Sequence, residues 1–300
     1  MNKNIYNSIN LGVVGYGHFG SRFLKWLKHI NDINVLYVVE PEYNKVSNLS
    51  NTLLYRSIEE IDLNLLGKTD VILDCSTKGI GEINVIKYKE LGIPAVIQSG
   101  EKLYAAELYY PSLREPESKY LRIPCCSAIS TLRIIEALAN AGMQNPMEIY
   151  GYHNKTTSDK QMISIDYISG REVEILTGVK SKMNRIYLPG HPANNEYIYA
   201  GNLSLTMSEN INHNKVVAGL TTHSELQLLD YSVNISDHYG NPNTLIIKES
   251  IEVTDNIIRL GFLAMPPYMD YPSNISAIRY LAEKQKVSAD KHQRYHQKVI

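Results

Sequence analysis

The sequence predicts an α/β protein of two domains: an N-terminal domain on a doubly wound, mainly parallel sheet, and a C-terminal α+β domain with a mainly antiparallel sheet. Three observations predict it. Up to about residue 124, short unbroken apolar runs alternate with helical stripes, the pattern of strands covered on both faces. Beyond Pro146 several segments alternate apolar and polar residues, the pattern of a sheet with one solvated face. Between them lies residues 122–133, Arg-Ile-Pro-Cys-Cys-Ser-Ala-Ile-Ser-Thr-Leu-Arg, where a pair of cysteines precedes a helical stripe. The expected division is 1–125, 126–270 and a closing helix in 271–300 that packs back on the first domain.

The first predicted strand, residues 11–14, runs into Gly15-Tyr16-Gly17-His18-Phe19-Gly20, and a helix begins near Ser21 with Phe23, Leu24, Leu27 and Ile30 on one face. A second strand, 35–39, ends at Glu40-Pro41. A GxGxxG between a strand and a helix, with an acidic residue closing the next strand, is the fingerprint of a Rossmann dinucleotide-binding domain. Gly15 makes the tight turn, Gly17 lets backbone approach a pyrophosphate, and Gly20 lets helix pack on strand. The pyrophosphate lies over the helix N-terminus, with Tyr16, His18 and Phe19 completing the loop. Glu40 accepts hydrogen bonds from ribose hydroxyls and repels an extra phosphate, which favours NAD over NADP.

A third strand is expected over 70–74, followed by Cys75-Ser76-Thr77-Lys78-Gly79-Ile80-Gly81 at its carboxyl end, where open sheets place ligands. Ser76, Thr77 and Gly79 are therefore cofactor candidates, and Cys75 is read as packing. A helix over 82–90 and a strand over 95–98 lead to Gln98-Ser99-Gly100-Glu101-Lys102 at the same edge, which adds Gln98, Ser99 and Gly100.

At the cysteine pair the stripe Leu132, Ile135, Leu138 and Ala139 predicts a helix capped by Ser127 or Ser130. A thiol beside that helix N-terminus is favoured as thiolate by the unpaired N–H groups and the dipole. Taken alone, two free cysteines also read as small buried hydrophobes. In the second domain, extended segments are expected over 147–152, 161–168, 203–208, 216–217, 225–233, 244–250 and 257–262. A final helix over 273–286 carries Ile275, Ile278, Leu281 and Ala282 on one face.

Composition sets outer limits. A formal net charge of −1 with mixed signs points to neither nucleic acid nor an anionic membrane as partner. Three cysteines, a polar start and no membrane-length apolar run lead us to expect a reduced, cytoplasmic setting, with no disulfide framework. No metal is expected.

The motifs together resemble the archaeal-type (type II) glyceraldehyde-3-phosphate dehydrogenase family nearly end to end. The resemblance rests on Val13-Val14-Gly15-Tyr16-Gly17, Asp74 with Lys78-Gly79-Ile80-Gly81, residues 98–102, residues 122–133, Lys248-Glu249-Ser250-Ile251, and residues 272–279 (Pro-Ser-Asn-Ile-Ser-Ala-Ile-Arg). It implies an aldehyde oxidoreductase working through a cysteine thiohemiacetal and thioester, with NAD as cofactor and NADP less favoured. It places Cys126 as nucleophile and Cys125 as neighbour, with Asn274 among the cofactor contacts. His223, in Gly219-Leu220-Thr221-Thr222-His223-Ser224, is the implied base, and His191 in Leu188-Pro189-Gly190-His191-Pro192 the reserve. It also implies a small aldehyde substrate and a homo-oligomer, tetramer or dimer.

Departures from the family pattern bear on the substrate. Where the family carries an Arg-Arg-Ala-Ala-Asp-Pro phosphate-binding stretch, this chain has Tyr152-His153-Asn154-Lys155-Thr156-Thr157-Ser158-Asp159. The family's Asn-Thr-Thr after the nucleophile is Ser127-Ala128-Ile129 here. Lacking a bidentate guanidinium clamp, the substrate is expected to be an aldehyde other than glyceraldehyde 3-phosphate. The phosphorylating enzyme itself and a catalytically silent NAD-binding regulator are the alternatives.

Overall fold

The structure, a computed structural model, describes residues 8–42, 44, 46, 49, 52–98, 105–157, 162–165, 167–189, 198–230 and 234–297. Of these, 155–157, 162–165, 167, 187–189 and 286–297 are described by backbone alone. The chain divides into two compact units: 1–111, 115–123 and 273–300 form one, and 112–114 with 124–272 the other.

The first unit carries a seven-stranded sheet built from β1 (Ile9–Val14), β2 (Ile33–Val39), β3 (Leu53–Tyr55), β4 (Val71–Asp74), β5 (Ala95–Ile97), β6 (Glu107–Leu108) and β7 (Tyr120–Arg122). Its order is β3-β2-β1-β4-β5-β7-β6 and every pairing is parallel. Helices α1 (His18–Leu27), α2 (Leu63–Leu66) and α3 (Ile80–Leu91) connect the strands. β1 and β4 are apolar almost throughout and nearly fully buried, as a parallel sheet covered on both faces requires. Helix α1 buries Gly20, Phe23, Leu24 and Leu27, one stripe at helical spacing; full burial of a side chain such as Phe23 contributes about 1.5–3 kcal/mol.

The second unit comprises α4 (Cys126–Asn140), β8 (Glu148–Thr157), β9 (Met162–Ile165), α5 (Tyr167–Thr177), β10 (Lys180–Pro189), β11 (Tyr199–Thr206), α6 (His213–Thr222), β12 (Leu226–Leu229), β13 (Thr244–Thr254) and β14 (Ile257–Ala264). Its seven strands run β12-β13-β14-β11-β8-β10-β9, with β12–β13 and β8–β10 parallel and the other four pairings antiparallel. Ile149, Gly151 and His153 of β8 and Tyr199, Gly201, Leu203 and Leu205 of β11 point to the buried face, while Tyr150 and Tyr152 stand exposed. Helix α5 packs on β10, and α4 contacts both α5 and α6.

In the second unit three segments differ from the sequence expectation. Residues 216–217 are helical, inside α6, because Asn212 caps that helix by accepting from the N–H groups of Asn214 and Lys215; the cap outweighs the strand preference of a Val-Val pair. The stretch expected to be extended through Ile168 turns at residue 167 into α5, whose buried side puts Ser169, Glu172 and Val173 inward. The strand β10 answers no expected segment; its lysines, asparagine and arginine leave no regular apolar alternation to read. A final helix, α7 (Tyr271–Gln297), closes the chain. From Ser273 onward it belongs to the first unit, where Ser276 meets Tyr109 at 3.3 Å and Arg279 pairs with Asp32.

Candidate functional site

In the first unit the glycine loop follows from backbone packing. Gly15 sits at φ +94°, and a Cβ there would lie 2.7 Å from the Cys75 carbonyl. A Cβ on Gly20 would stand 2.2 Å from the Gly15 carbonyl oxygen. Both must be glycine for α1 to pack on the sheet. Gly17, the N-cap of α1, faces open space: nothing lies within 4 Å of where its Cβ would be. His18 and Phe19 form the first turn of α1, so their N–H groups are among those a helix start leaves for an anion.

Around the loop lies a cleft of about 380 Å³ lined by Gly15, Gly17, Glu40, Ser76, Thr77 and Asn84, among others. Its volume suits a nucleoside moiety. The Glu40 carboxylate accepts from the backbone N–H of Tyr16 at 2.8 Å and of Glu42 at 3.0 Å, which fixes it at the cleft wall. Asp74 is the internal anchor: it accepts from the Ser76 N–H and hydroxyl, the Asn84 amide and the Tyr88 hydroxyl. Gly79 caps α3 at φ +91°. Gln98 is buried and accepts from the Asn274 amide at 2.7 Å. Ser99 and Gly100 lie outside the described residues. Arg56, Ser57, Asn84 and Lys87 also line the cleft, and no motif marks them. Open space at Gly17 beside a helix start fits the pyrophosphate of a dinucleotide.

Cys75 follows β4 in this cleft, where burial and then the Asp74 charge push its thiol well up. It is a packing thiol.

In the second unit Cys126 is the first residue of α4, and Cys125, not Ser127 or Ser130, is the N-cap. The reason is an anchor on α5: buried Glu172 accepts the Cys125 N–H at 2.7 Å, and the Cys125 sulfur lies 3.0 Å from Ser169 Oγ. Ser127 is buried and its hydroxyl makes no hydrogen bond among the described residues; Ser130 bonds to Met269 and Thr244. Cys126 thus holds the N1 position, where backbone N–H groups and the dipole favour a thiolate.

The helix behind it is held rigidly. Arg133 is fully buried: its Nε donates to Glu225 at 2.6 Å, Nη1 to the Pro242 carbonyl at 2.9 Å and Nη2 to the Met269 carbonyl at 2.8 Å.

The strands bring other side chains to the thiol. Tyr199 of β11 donates a hydrogen bond to Cys126, and burial, followed by the charge on Cys126, pushes the phenol well up while Arg185 of β10 pulls it back. Arg185 Nε donates to His153 Nε2 of β8 at 2.8 Å, and the His153 and Tyr199 rings lie 5.8 Å apart. The register explains the grouping: Arg185 and Gly201 flank His153, and Tyr199 lies two residues along β11 on the same face.

His223 is elsewhere. Its Nε2 lies 3.3 Å from Glu136 and its Nδ1 accepts the Glu225 N–H. Glu136 follows Cys126 by ten residues of α4, about 15 Å along the axis. The structure does not bring His223, the implied base, to the thiol: α6 ends about three turns of α4 away. His191 lies outside the described residues.

No family model matches the chain. Curated relatives do: it is 27% identical over 155 residues to glyceraldehyde-3-phosphate dehydrogenase of Archaeoglobus fulgidus, covering 43% of this chain and 44% of the relative. It is 31% identical over 107 residues to that of Methanothermus fervidus, covering 34% and 31%, and 28% identical over 151 residues to that of Pyrococcus abyssi, covering 43% and 45%. The chain is thus similar to archaeal-type glyceraldehyde-3-phosphate dehydrogenases, as a divergent relative. The matches span less than half the length of those relatives. No helix among the described residues is long and apolar enough to cross a membrane.

Proposed function

We propose that the protein is an NAD-dependent aldehyde dehydrogenase acting through a Cys126 thioester, on a small aldehyde other than glyceraldehyde 3-phosphate. The observation that carries this reading is Cys126 at N1 of α4 with a phenol donor on its sulfur. In the proposed reaction the thiolate forms a C–S bond with the aldehyde carbon and the carbonyl π pair moves to oxygen. When that pair returns, the former aldehyde hydrogen leaves as hydride and a thioester remains. A bound nicotinamide supplies the hydride acceptor. Gly15, Tyr16, Gly17, His18, Phe19 and Gly20 would hold its dinucleotide, with Glu40, Ser76, Thr77 and Gly79 around the adenosine side and Gln98 and Asn274 further along the sheet edge; Ser99 and Gly100 are further candidates from the sequence alone. The Glu40 carboxylate, pinned at the cleft wall, supports NAD over NADP.

The substrate reading rests on what surrounds the thiol. Ala128 and Ile129 are buried with side chains that offer no donor, and β8 carries no arginine; the guanidinium in the cluster, that of Arg185 on β10, has its Nε engaged by His153. The uncovered tyrosines Tyr150 and Tyr152 on the outer sheet face support self-association into a homo-oligomer.

The test is Cys126→Ser assayed with NAD across a panel of small aldehydes and semialdehydes, with glyceraldehyde 3-phosphate plus phosphate included. Turnover should fall on the order of 10³-fold or more. Full turnover in the variant sinks the thioester mechanism, and a preference for glyceraldehyde 3-phosphate in the parent protein sinks the substrate reading.

A further inference from the structure

Resting on the thioester reading, the geometry points to Tyr199 as the catalytic partner of Cys126, with Arg185 as its positioning charge, in place of a histidine base. Two described histidines of this unit, His223 and His153, are engaged by other partners. His223 is paired with Glu136 three turns up α4. His153 is in the cluster, but its Nε2 accepts the Arg185 Nε–H. A neutral imidazole with one nitrogen accepting carries its proton on the other, so it has no lone pair left for a thiol proton.

The remaining chemistry does not need one. A base in such a reaction serves to deprotonate the thiol, and a thiol held as thiolate makes that service redundant. Three features hold it so: the N1 position of α4, the Tyr199 hydroxyl donating to sulfur, and the guanidinium of Arg185 within electrostatic range of that phenol. Opposing them is the Glu172 carboxylate on α5, which is occupied by the Cys125 N–H. Cys125 itself faces Ser169.

As the C–S bond forms, the sulfur spends one of its lone pairs on carbon, loses its charge and becomes a weak acceptor. The carbonyl π pair becomes an oxyanion one bond from the attacked carbon. The phenol O–H then turns from sulfur to that oxygen and stabilises it by a charge-assisted hydrogen bond. Collapse of the oxyanion would re-form the carbonyl and release hydride, for which a bound nicotinamide would be the acceptor, so electrons balance and no proton leaves Tyr199.

The test reads the thiol directly, without turnover. Iodoacetamide labelling of Cys126 is followed by peptide mass analysis from pH 5 to pH 10 in the full-length protein and in Tyr199→Phe. Loss of a hydrogen bond to a charged group should slow labelling at neutral pH about ten-fold, with the parent rate regained at high pH. Arg185→Gln should slow it as well, which keeps the test decisive if Tyr199→Phe does not fold. Equal profiles in parent and both variants overturn the inference, as does a profile unmoved by either but collapsed by His191→Ala. If Cys126→Ser keeps its turnover while the labelling shift is seen, the thioester reading fails and the Tyr199 contact stands as thiolate support alone.

Discussion

The two units build their candidate sites from opposite materials. In the first, the glycine loop at the end of β1 works through backbone: the absence of side chains at Gly15 and Gly20 brings α1 onto the sheet, and the open space at Gly17 is the place for a ligand. In the second, the site is an assembly of side chains from three neighbouring strands, with Tyr199 at the Cys126 sulfur and Arg185 and His153 grouped beside Tyr199. Their thiols show the contrast. Cys75 closes a strand beside Asp74 and is pushed toward the neutral form; Cys126 opens a helix and receives a phenol O–H. A backbone site fails when atoms are added, and a side-chain site fails when they are removed.

The comparison is broken most severely at Arg133. Arg133→Met keeps volume but leaves two buried carbonyls and Glu225 without their donor, so unfolding stability should drop by about 3 kcal/mol. Denaturant titration measures it. An unchanged midpoint would mean that α4 needs no buried clamp.

Adding one methyl sharpens the other half. Gly20→Ala drives Cβ into the Gly15 carbonyl and should cost about 1–3 kcal/mol together with NAD binding. Gly17→Ala meets no protein atom within 4 Å, so its melting temperature should match the parent while the NAD-induced rise shrinks. Equal destabilisation by the two substitutions would mark the loop as packing only.

The smallest effect lies away from both sites. Arg279 donates twice to Asp32, and this hydrogen-bonded pairing holds the Asp32 carboxyl below its ordinary range. A carboxylate lowered on folding stabilises above its unfolded value and loses that contribution as pH falls through the folded one. Solvent screens this partly exposed pair, so Arg279→Gln should cost about 0.5 kcal/mol at pH 7. The difference should disappear in titrations carried well below the ordinary Asp value of 3.8.

Legibility follows the same division. The turn at Gly15, the helix start at Gly17 and the acid at Glu40 are near one another in the chain, and local backbone sterics dictate their spacing. The placement of Cys126 at a helix start was also readable, although its cap was not: the Glu172 and Ser169 anchors come from α5, over forty residues later. Nothing in the local sequence of His153, Arg185 or Tyr199 marks them. Each is a polar or aromatic residue in a strand, and only the pairing register sets them on one face. The neighbour of the histidine motif at 219–224 is hidden for the same reason, since it depends on where α6 lands along α4.

By itself the sequence determined the two-unit α/β then α+β plan, the glycine loop and the nucleophile candidate, because hydrophobic period and glycine sterics act within a few residues. Tertiary structure alone decided what stands beside the thiol. Strand register and helix docking juxtapose residues dozens of positions apart, and no local pattern encodes that distance.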